Sequence, residues 1–587
     1  MNVPLTQEQK RAIRSRAKVI VLQAFAGTGK TTTIAAYVRQ LLRSGVPAER
    51  ILALSFSNAA VDRLREKLPS AIRTRTFHSF GSRFVRRNYR QLGYSKPPRK
   101  AKARDYYDAL EAAVARCPPD GSRGNSAAAP RDVRVVGSVF STADELERPV
   151  EKTVRELYPE YLRAIPHLRR IRRAFRHELR VRGLITFREM VRSVRRAAVE
   201  HPQTVRKLGY RYLVVDESQD MSREQIQAVR ALSRQMDRTL ICGDPFQSIY
   251  GFRAVEFGAV ANAFSDARQF RLTRTFRLTK PMADLAMTLM RRHGPDAPSL
   301  ATFRAGRMPE LAGVRTFAKQ RRHVLKAIRQ AIREGAAPSD IALLTRTRTQ
   351  RNDFAQILLD AGINVRLGDG PDAGRHVLAL ACLFELFGKW SSRASATRRA
   401  KRDQIERGIR AAVGVALDLP PSGKPTVEKC RLLINSLERG PTPHEVFRIA
   451  LRGYLMLARK AGAFSPQLEF YLASLGPVVS RRASVPAGAR KMRLFAKTRA
   501  VNLSTIHAAK GHEWPVVIVA GLVDGSLPIS YAHTQSLVEE ERRALYTAIT
   551  RPSRRLTLIS GPAVVARQTF RKPSQFLNSL STWVRRT

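Results

Sequence analysis

Two short segments of the sequence carry residue types suited to phosphate chemistry. The segment AFAGTGKTTT (24–33) places glycines between an apolar run and a helical pattern, where backbone N–H groups and a helix N-terminus can surround an anion. Lys30 would reach the β and γ phosphates of a nucleotide, and Thr31 would offer its hydroxyl to Mg²⁺. Ala24 replaces the first glycine of the strict pattern, and the alternative is an ordinary turn before a core helix. The residues expected around the phosphates are Ala26, Gly27, Thr28, Gly29, Lys30, Thr31 and Thr32.

The second segment, YLVVDESQD (212–220), ends an apolar run with two adjacent carboxylates. Asp216 would hold Mg²⁺, and Glu217 would orient or deprotonate an attacking water. By itself such a pair is usually a solvated turn. In one chain with a phosphate loop it predicts hydrolysis of ATP or GTP, because phosphoryl transfer depends mainly on positioning and charge stabilisation.

The elements that must position these residues alternate between apolar runs and helical patterns. VIVLQ (19–23), ILALSF (51–56), YLVV (212–215) and TLICGD (239–244) predict strands of one group, and ALLTRT (342–347) and PVVIVAGL (515–522) predict strands of a second. Charged helical patterns, including 104–116 and 161–183, form an insertion, and a second insertion covers about 372–495. The predicted fold class is α/β, interrupted by mainly helical insertions.

Positive charge dominates the composition of the 587 residues. Lys and Arg number 105 against 48 Asp and Glu, a net charge of +57, while 43% of the residues are hydrophobic. Such a chain can bury a core and should attract a polyanion, above all nucleic acid. Part of the arginine excess also fits a solvated surface or a genome's base composition, so the charge alone does not separate an enzyme from a packaging protein.

Other features of the sequence indicate the compartment. The four cysteines are far apart, which suggests neither a disulfide framework nor a zinc site. No apolar run approaches the roughly 20 residues that cross a bilayer, and the N-terminus lacks the apolar region of a signal peptide. We expect a cytoplasmic protein, in the bacterial cytosol or nucleoid, that does not engage a membrane.

Nine segments, in order, resemble the motifs of the UvrD/Rep family of superfamily 1 helicases. They are LTQEQ (5–9), AFAGTGKT (24–31), LSFSNAAVDRLREKL (54–68), TFHSF (76–80), VVDESQD (214–220), ICGDPFQSIYGFR (241–253), RTFRLT (274–279), VNLSTIHAAKGHEWPVVIV (501–519) and EEERRALYTAITRP (539–552). The resemblance spans nearly the whole chain, and PSQFL (573–577) resembles the closing segment of the family.

This resemblance implies a domain organisation. Two RecA-like P-loop motor domains with parallel sheets would each carry a mainly helical insertion. Motor domain 1 would comprise 1–95 and 196–273 around an insertion at 96–195. Motor domain 2 would comprise 274–371 and 496–587 around an insertion at 372–495.

The resemblance also implies the residues of an ATP site. Gln9 would read the adenine edge, and Phe276, where the family usually has Tyr, would stack on the base. Gln247 would sense the γ-phosphate, and Glu513 would lie near the ribose hydroxyls. Two arginines would reach across from motor domain 2 as fingers in cis. The implied catalytic residues are Lys30, Asp216, Glu217, Gln247, Arg277 and Arg551, with Thr31 and Asp216 on Mg²⁺.

A track for single-stranded DNA is implied in the same way. Phe56, Tyr250 and Phe252 would stack on bases, with Phe252 in place of the usual tryptophan. His78 and His507 would lie near the DNA strand or couple it to ATP. A lone histidine is more often structural, and Phe56 could equally belong to the core. Asn58 and Arg253 complete the expected contacts.

Three hypotheses about function follow. In the first, the protein is an ATP-dependent helicase that moves 3′ to 5′ on single-stranded DNA and acts at junctions with duplex. In the second, it is a translocase that displaces proteins and unwinds only with a partner from repair, replication or defence; the second insertion, about 120 residues long, slightly favours this reading. In the third, it is a basic nucleic-acid-binding protein without activity, although all the motor residues are present. We expect a monomer or weak dimer.

Overall fold

The structure is a computed structural model that describes most of the chain and divides it into two compact units. The units comprise Met1–Ala283 with Met290–Arg304, and Asp284–Leu289 with Ala305–Thr587. This division comes later in the chain than the domain boundary expected at residue 274. The described residues are 4–118, 132–249, 258–291, 297–367, 377, 379–385, 387, 442–460, 469, 472–473, 475–476, 484–497 and 500–587.

The first unit is built on a six-stranded sheet with the order β3-β2-β6-β7-β1-β8, in which every pairing is parallel. Strands β4 and β5 form a separate parallel pair. Crossover helices cover both faces, as parallel sheets require. The strands are β1 (Val19–Ala24), β2 (Ile51–Ser55), β3 (Arg73–Thr76), β4 (Arg99–Lys100), β5 (Leu184–Ile185), β6 (Tyr212–Val215), β7 (Arg238–Gly243) and β8 (Arg268–Leu272).

The helices of the first unit follow the apolar periodicity of the sequence. Thirteen are described, the last of which continues into the segment Asp284–Leu289 assigned to the second unit. They are α1 (Gln7–Arg14), α2 (Lys30–Arg43), α3 (Asn58–Lys67), α4 (Phe77–Arg87), α5 (Ala103–Ala115), α6 (Val133–Glu145), α7 (Val150–Leu157), α8 (Ile165–Val181), α9 (Phe187–Glu200), α10 (Pro202–Arg206), α11 (Arg223–Arg234), α12 (Ala259–Ala263) and α13 (Lys280–Arg291).

Helices α5 to α8 have a core of their own, in which Leu110, Phe140 and Leu168 are fully buried. Helix α9 instead packs Met190 and Val194 into the core of the large sheet. The insertion boundary expected at residue 195 therefore falls inside a helix of the motor core. The single helix predicted over 161–183 is a 3₁₀ turn, Pro159–Ala164, followed by α8, because Pro166 fits only the first turn of a helix.

The second unit is built on a seven-stranded parallel sheet with the order β11-β12-β10-β13-β14-β9-β17, beside an antiparallel pair β15-β16. Its strands are β9 (Glu310–Gly313), β10 (Ile341–Thr345), β11 (Val365–Leu367), β12 (Val501–Thr505), β13 (Trp514–Ala520), β14 (Pro552–Ser560), β15 (Ala563–Val565), β16 (Gln568–Phe570) and β17 (Arg585–Arg586). Its other helices are α14 (Phe317–Arg333), α15 (Arg348–Asp360), α16 (Pro443–Lys460), α17 (Val485–Lys497) and α18 (Gln535–Ile549).

The predicted fold class is confirmed, because each unit carries one RecA-like parallel sheet. Much of the second insertion expected at 372–495 lies outside the described residues. Across the described ranges, the helices lack the combination of length and apolar character that a bilayer-spanning helix has.

Candidate nucleotide and nucleic-acid sites

The loop between β1 and α2 has a backbone that only glycine fits well. Gly27 and Gly29 have φ values of 72° and 80°, in the left-handed region. A Cβ added at Gly27 would lie 2.5 Å from the Cβ of Arg277, so there is also no space for a side chain. Helix α2 starts at Lys30, and no side chain of the described residues caps its first N–H groups. These groups can bind an anion, and the loop fits the phosphates of a nucleotide.

Strand β6 delivers Asp216 and Glu217 to the end of the sheet where the loop lies. The Nζ atom of Lys30 is 2.5 Å from Oε2 of Glu217 and 3.5 Å from Oδ1 of Asp216. Burial by itself would lower the pKa of Lys30, but the charges of Glu217 and Asp216 outweigh it and raise that pKa above its ordinary value. Lys30 therefore stays protonated and neutralises part of the charge of the carboxylates.

Asp216 is buried, with 4% of its surface exposed, and burial raises the pKa of its carboxyl against the attraction of Lys30. The described residues contain no group of three or more His, Cys, Asp or Glu side chains able to hold a metal ion by themselves. Mg²⁺ commonly binds through one or two protein oxygens together with substrate phosphates. One carboxylate and the Thr31 hydroxyl therefore suit Mg²⁺ that arrives with a nucleotide.

Glu217 has an unusual backbone conformation for a non-glycine residue, with φ of 53° and ψ of 41°. A residue in the left-handed region costs about 1–3 kcal/mol, and such residues cluster at functional sites. The conformation turns the chain from β6 into the 3₁₀ turn Ser218–Asp220. With this backbone conformation, the Glu217 carboxylate lies beside Lys30.

A line of hydrogen bonds leads from Glu217 to the next strand. Gln219 donates its Nε2 to Oε2 of Glu217 at 2.7 Å, and its Oε1 accepts the backbone N–H of Asp244 at 3.1 Å. Gln247 then donates its Nε2 to Oδ2 of Asp244 at 2.7 Å. The predicted γ-phosphate sensor Gln247 is thus joined to the predicted base. The sequence analysis did not single out Gln219, although its place in DESQD was a usable signal.

Arg63 is a second residue near the predicted base, Glu217, that the sequence analysis missed. It lies on α3, and its Nη2 is 4.0 Å from Oε1 of Glu217. Helix α3 begins with Asn58, which was expected to contact DNA. A charged residue on an amphipathic helix ordinarily faces solvent, so no local pattern of residues predicted this approach to Glu217.

The residues expected around the base adjoin the phosphate loop. A Cβ added at Gly29 would lie 2.7 Å from Nε2 of Gln9 and 3.8 Å from Cε2 of Phe276. Gln9 is buried, donates Nε2 to the Thr28 carbonyl at 3.2 Å and accepts the Thr6 N–H on Oε1 at 2.8 Å. An amide has two N–H donors and two acceptor lone pairs, so each end of Gln9 retains capacity for an adenine edge.

Arg277 follows Phe276 and belongs to the first unit. The N–H of Phe276 donates to the Gly27 carbonyl at 2.8 Å, which ties this segment to the phosphate loop. The resemblance implied that Arg277 belongs to motor domain 2, whereas the structure groups it with the first unit. Its closeness to the loop agrees with a residue that contacts phosphates.

Arg551, Glu513 and His507 lie in the second unit. Arg551 is buried, and its Nε donates to the Thr547 carbonyl at 2.8 Å while its Nη1 donates to the His512 carbonyl at 3.3 Å. Arg551 is thus connected to the loop that carries exposed Glu513, and His507 is half-buried just after β12.

The residues expected to contact DNA are only partly described. Phe56 is half-buried at the end of β2, exposed Asn58 starts α3, and His78 lies in the first turn of α4. These positions are at the carboxyl ends of the strands or just beyond. Tyr250, Phe252 and Arg253 lie outside the described residues.

Phe187 is an exposed aromatic side chain that the sequence analysis did not select. Its ring is 42% exposed, lies 4.3 Å from the ring of His78 and has the Nζ of Lys100 at 3.7 Å. An exposed aromatic ring beside a cation can stack on bases. No local pattern of the sequence marked this ring as exposed.

A phosphate loop after β1 and an Asp-Glu pair after β6, on neighbouring parts of one parallel sheet, define the first unit as a P-loop NTPase domain. Comparisons with known proteins narrow this class. The family described as UvrD/REP helicase N-terminal domain matches residues 5–268, and the family described as UvrD-like helicase C-terminal domain matches residues 486–561.

Similar proteins carry consistent names. An "ATP-dependent DNA helicase UvrD2" from Mycobacterium tuberculosis is 28% identical, over 99% of this chain and 82% of the relative. An "ATP-dependent DNA helicase PcrA" from Leuconostoc citreum is 23% identical over 98% and 85%, and "DNA helicase II" from Escherichia coli is 22% identical over 98% and 87%. The chain belongs to the UvrD/Rep family of superfamily 1 helicases.

Proposed function

We propose that this protein is an ATP-dependent DNA helicase that couples hydrolysis to 3′-to-5′ movement along single-stranded DNA and to unwinding of duplex. The contact of Lys30 with Glu217 and Asp216 at the ends of parallel strands carries the ATPase part of the proposal. The names of relatives, which include "ATP-dependent DNA helicase", support DNA as the substrate. The direction of movement rests on the resemblance of the motifs.

The exchange of partners by Lys30 would control the chemistry. In the structure Lys30 holds Oε2 of Glu217, so the carboxylate is engaged by a cation. When phosphate oxygens compete for Lys30, Glu217 loses that partner and keeps the Gln219 hydrogen bond, which orients it. The freed carboxylate can then accept a proton from water, which is the role of a general base in phosphoryl transfer.

ATP and Mg²⁺ are the proposed cofactors, and Mg²⁺ supplies neutralisation of the phosphate charge when bound. Thr31 and Asp216 would hold the metal, Gln9 and Phe276 would select adenine, and Glu513 would contact the ribose. Arg277 and Arg551 would stabilise charge that develops during hydrolysis, while Gln247 would sense the γ-phosphate.

The proposed organisation retains two motor domains with insertions near 96–195 and 372–495, acting in the cytoplasm as a monomer or weak dimer. The proposed nucleic-acid partners are single-stranded DNA and its junctions with duplex. Phe56, Asn58, His78 and His507 would contact the DNA, together with Tyr250, Phe252 and Arg253. A protein partner from repair, replication or defence would fit the same motor.

Fluorescent duplexes with a 3′ or a 5′ single-stranded tail test the proposal. With ATP and Mg²⁺ we expect strand separation of the 3′-tailed duplex and none of the 5′-tailed duplex, with Glu217→Gln as the inactive control. Displacement of streptavidin from DNA without strand separation would favour a translocase that unwinds only with a partner. Absence of ATP hydrolysis stimulated by DNA would contradict both.

A further inference from the structure

A line of arginines occupies one side of the first unit beyond the expected contact at His78. Strand β3 is at the edge of the six-stranded sheet, and α4 follows it directly. Arg73 is exposed on β3, and Arg83, Arg86 and Arg87 are exposed on the second half of α4. An α-helix rises 1.5 Å per residue, so α4 carries positive charge about 13 Å beyond His78.

These arginines line two adjoining clefts, which we call the arginine groove. The clefts have volumes of about 570 Å³ and about 300 Å³, and Arg75 lines both. The larger cleft also presents hydroxyl groups, from Ser79 and Ser82. Neither lining contains an aspartate, a glutamate or an aromatic ring. The arginines of the groove are Arg65, Arg73, Arg75, Arg83, Arg86 and Arg87.

Among the described residues, few carboxylates lie close enough to neutralise the charge of the arginine groove. Arg65 pairs with Asp62 at 3.0 Å, whereas the other five arginines form no salt bridge with any residue that the structure describes. The Nε of Arg75 is buried and has no hydrogen-bond partner among those residues. Some exposed arginines elsewhere in the unit are paired, for example Arg99 with Asp105 at 2.6 Å and Arg211 with Asp237 at 2.7 Å.

We propose that the arginine groove binds the phosphodiester backbone of single-stranded DNA and extends the DNA site past His78. Guanidinium forks and hydroxyls match phosphate oxygens, and a lining without aromatic rings would hold the backbone without stacking on bases. The inference rests on the proposed function, because it assumes that the motor holds DNA.

The test compares two triple variants that lose the same charge. Arg83→Ala/Arg86→Ala/Arg87→Ala alters the groove, and Arg322→Ala/Arg329→Ala/Arg333→Ala removes three exposed arginines from α14 in the second unit. Fluorescence anisotropy would measure the Kd of labelled oligo-dT of increasing length at several salt concentrations.

We expect the groove variant to lose affinity for long oligonucleotides and to bind short ones like the wild type. Three lost phosphate contacts should reduce the slope of log K against log salt by about 2, at about 0.7 per contact on single strands. The α14 variant should keep the wild-type slope. The variant Arg83→Lys/Arg86→Lys/Arg87→Lys keeps the positive charge and should therefore keep most of the salt slope. Arg86 and Arg87 also stabilise the C-terminus of α4. Comparison of the Tm of the lysine and alanine variants therefore separates a loss of binding from a loss of folding.

An unchanged slope and Kd in the groove variant would overturn the inference, as would equal losses in the two alanine variants. The proposed function fails by a different observation, namely a wild-type protein that does not bind DNA or hydrolyse ATP in response to it. If the wild type binds DNA and the groove variant binds it equally well, the inference about the arginine groove is rejected and the proposed helicase function is retained.

Discussion

At the scale of single residues, the contact between Lys30 and Glu217 would link nucleotide binding to the proposed base catalysis. The two side chains are 2.5 Å apart, and a phosphate that attracts Lys30 would release the carboxylate. Because the charge of Glu217 also raises the pKa of Lys30, a substitution of Glu217 should change both the pKa of Lys30 and the rate of hydrolysis.

Glu217→Gln removes the proposed base and should reduce DNA-stimulated ATP hydrolysis by about 100-fold or more. ATP affinity should be retained or should rise, because the neutral amide competes less for Lys30. A steady-state ATPase assay and a nucleotide-binding titration measure the two effects. Glu111→Gln, an exposed change on α5, is the matched control. Near-normal turnover in Glu217→Gln would assign the base to another residue.

Gln219→Ala tests the hydrogen bonds between Glu217 and Asp244. Because Gln219 orients the base without touching ATP, we expect kcat to fall by about 10-fold while KM for ATP changes little. A rise in KM with constant kcat would mean that Gln219 supports nucleotide binding instead. A thermal melt of the variant shows whether the change is local.

Phe276→Ala should raise KM for ATP more than it lowers kcat, because base stacking contributes equally in the ground and transition states. An aromatic stack worth about 0.5–1.5 kcal/mol predicts an increase in KM of about 2- to 13-fold. Phe317→Ala, which removes another partly exposed ring from α14, serves as the control. An unchanged KM in Phe276→Ala would place the base elsewhere.

At the scale of elements, the loop that begins α2 depends on glycine for both backbone conformation and space. Gly27 and Gly45 have φ values of 72° and 83°, but only Gly27 is closely surrounded, with the Cβ of Arg277 and the Oγ1 of Thr275 within 2.6 Å of an added Cβ. Comparison of the two positions separates the effect of backbone strain on stability from the effect of a blocked loop on nucleotide binding.

Gly45→Ala should lose about 1–2 kcal/mol of unfolding free energy, the cost of a side chain in the left-handed region, and Gly27→Ala should lose more, because its methyl group would also clash with Arg277 and Thr275. Gly27→Ala should also lose nucleotide binding, because its methyl group would displace the segment that carries Phe276 and Arg277. Chemical denaturation and a nucleotide-binding titration measure the two properties. Wild-type nucleotide affinity in Gly27→Ala would contradict the assigned loop.

At the scale of the whole molecule, the net charge of +57 predicts steep dependence of DNA binding on salt. Each phosphate contact adds about 0.7 to the slope of log K against log salt for a single strand. Affinity for random-sequence single strands should therefore fall strongly between low and physiological salt, as measured by anisotropy. A flat response would mean that the basic surface serves another ligand.

The sequence by itself determined the fold class and predicted the residues of the proposed ATP site. Glycines at 27 and 29, the lysine after them and the carboxylates at 216 and 217 are local signals, because a loop and a strand end fix their own geometry. Alternation of apolar runs and helical patterns likewise predicted the parallel sheets.

Only the tertiary structure decided which distant residues share a site. Gln219 and Arg63 approach Glu217, and Phe187 lies against His78, through packing of elements far apart in sequence. Phe276, which precedes Arg277 in the first unit, donates its N–H to the Gly27 carbonyl across about 250 residues of chain. Excess arginine was visible in the composition, but which arginines remain without carboxylate partners depends on the folded surface. These are non-local contacts, and no local pattern of residues encodes them.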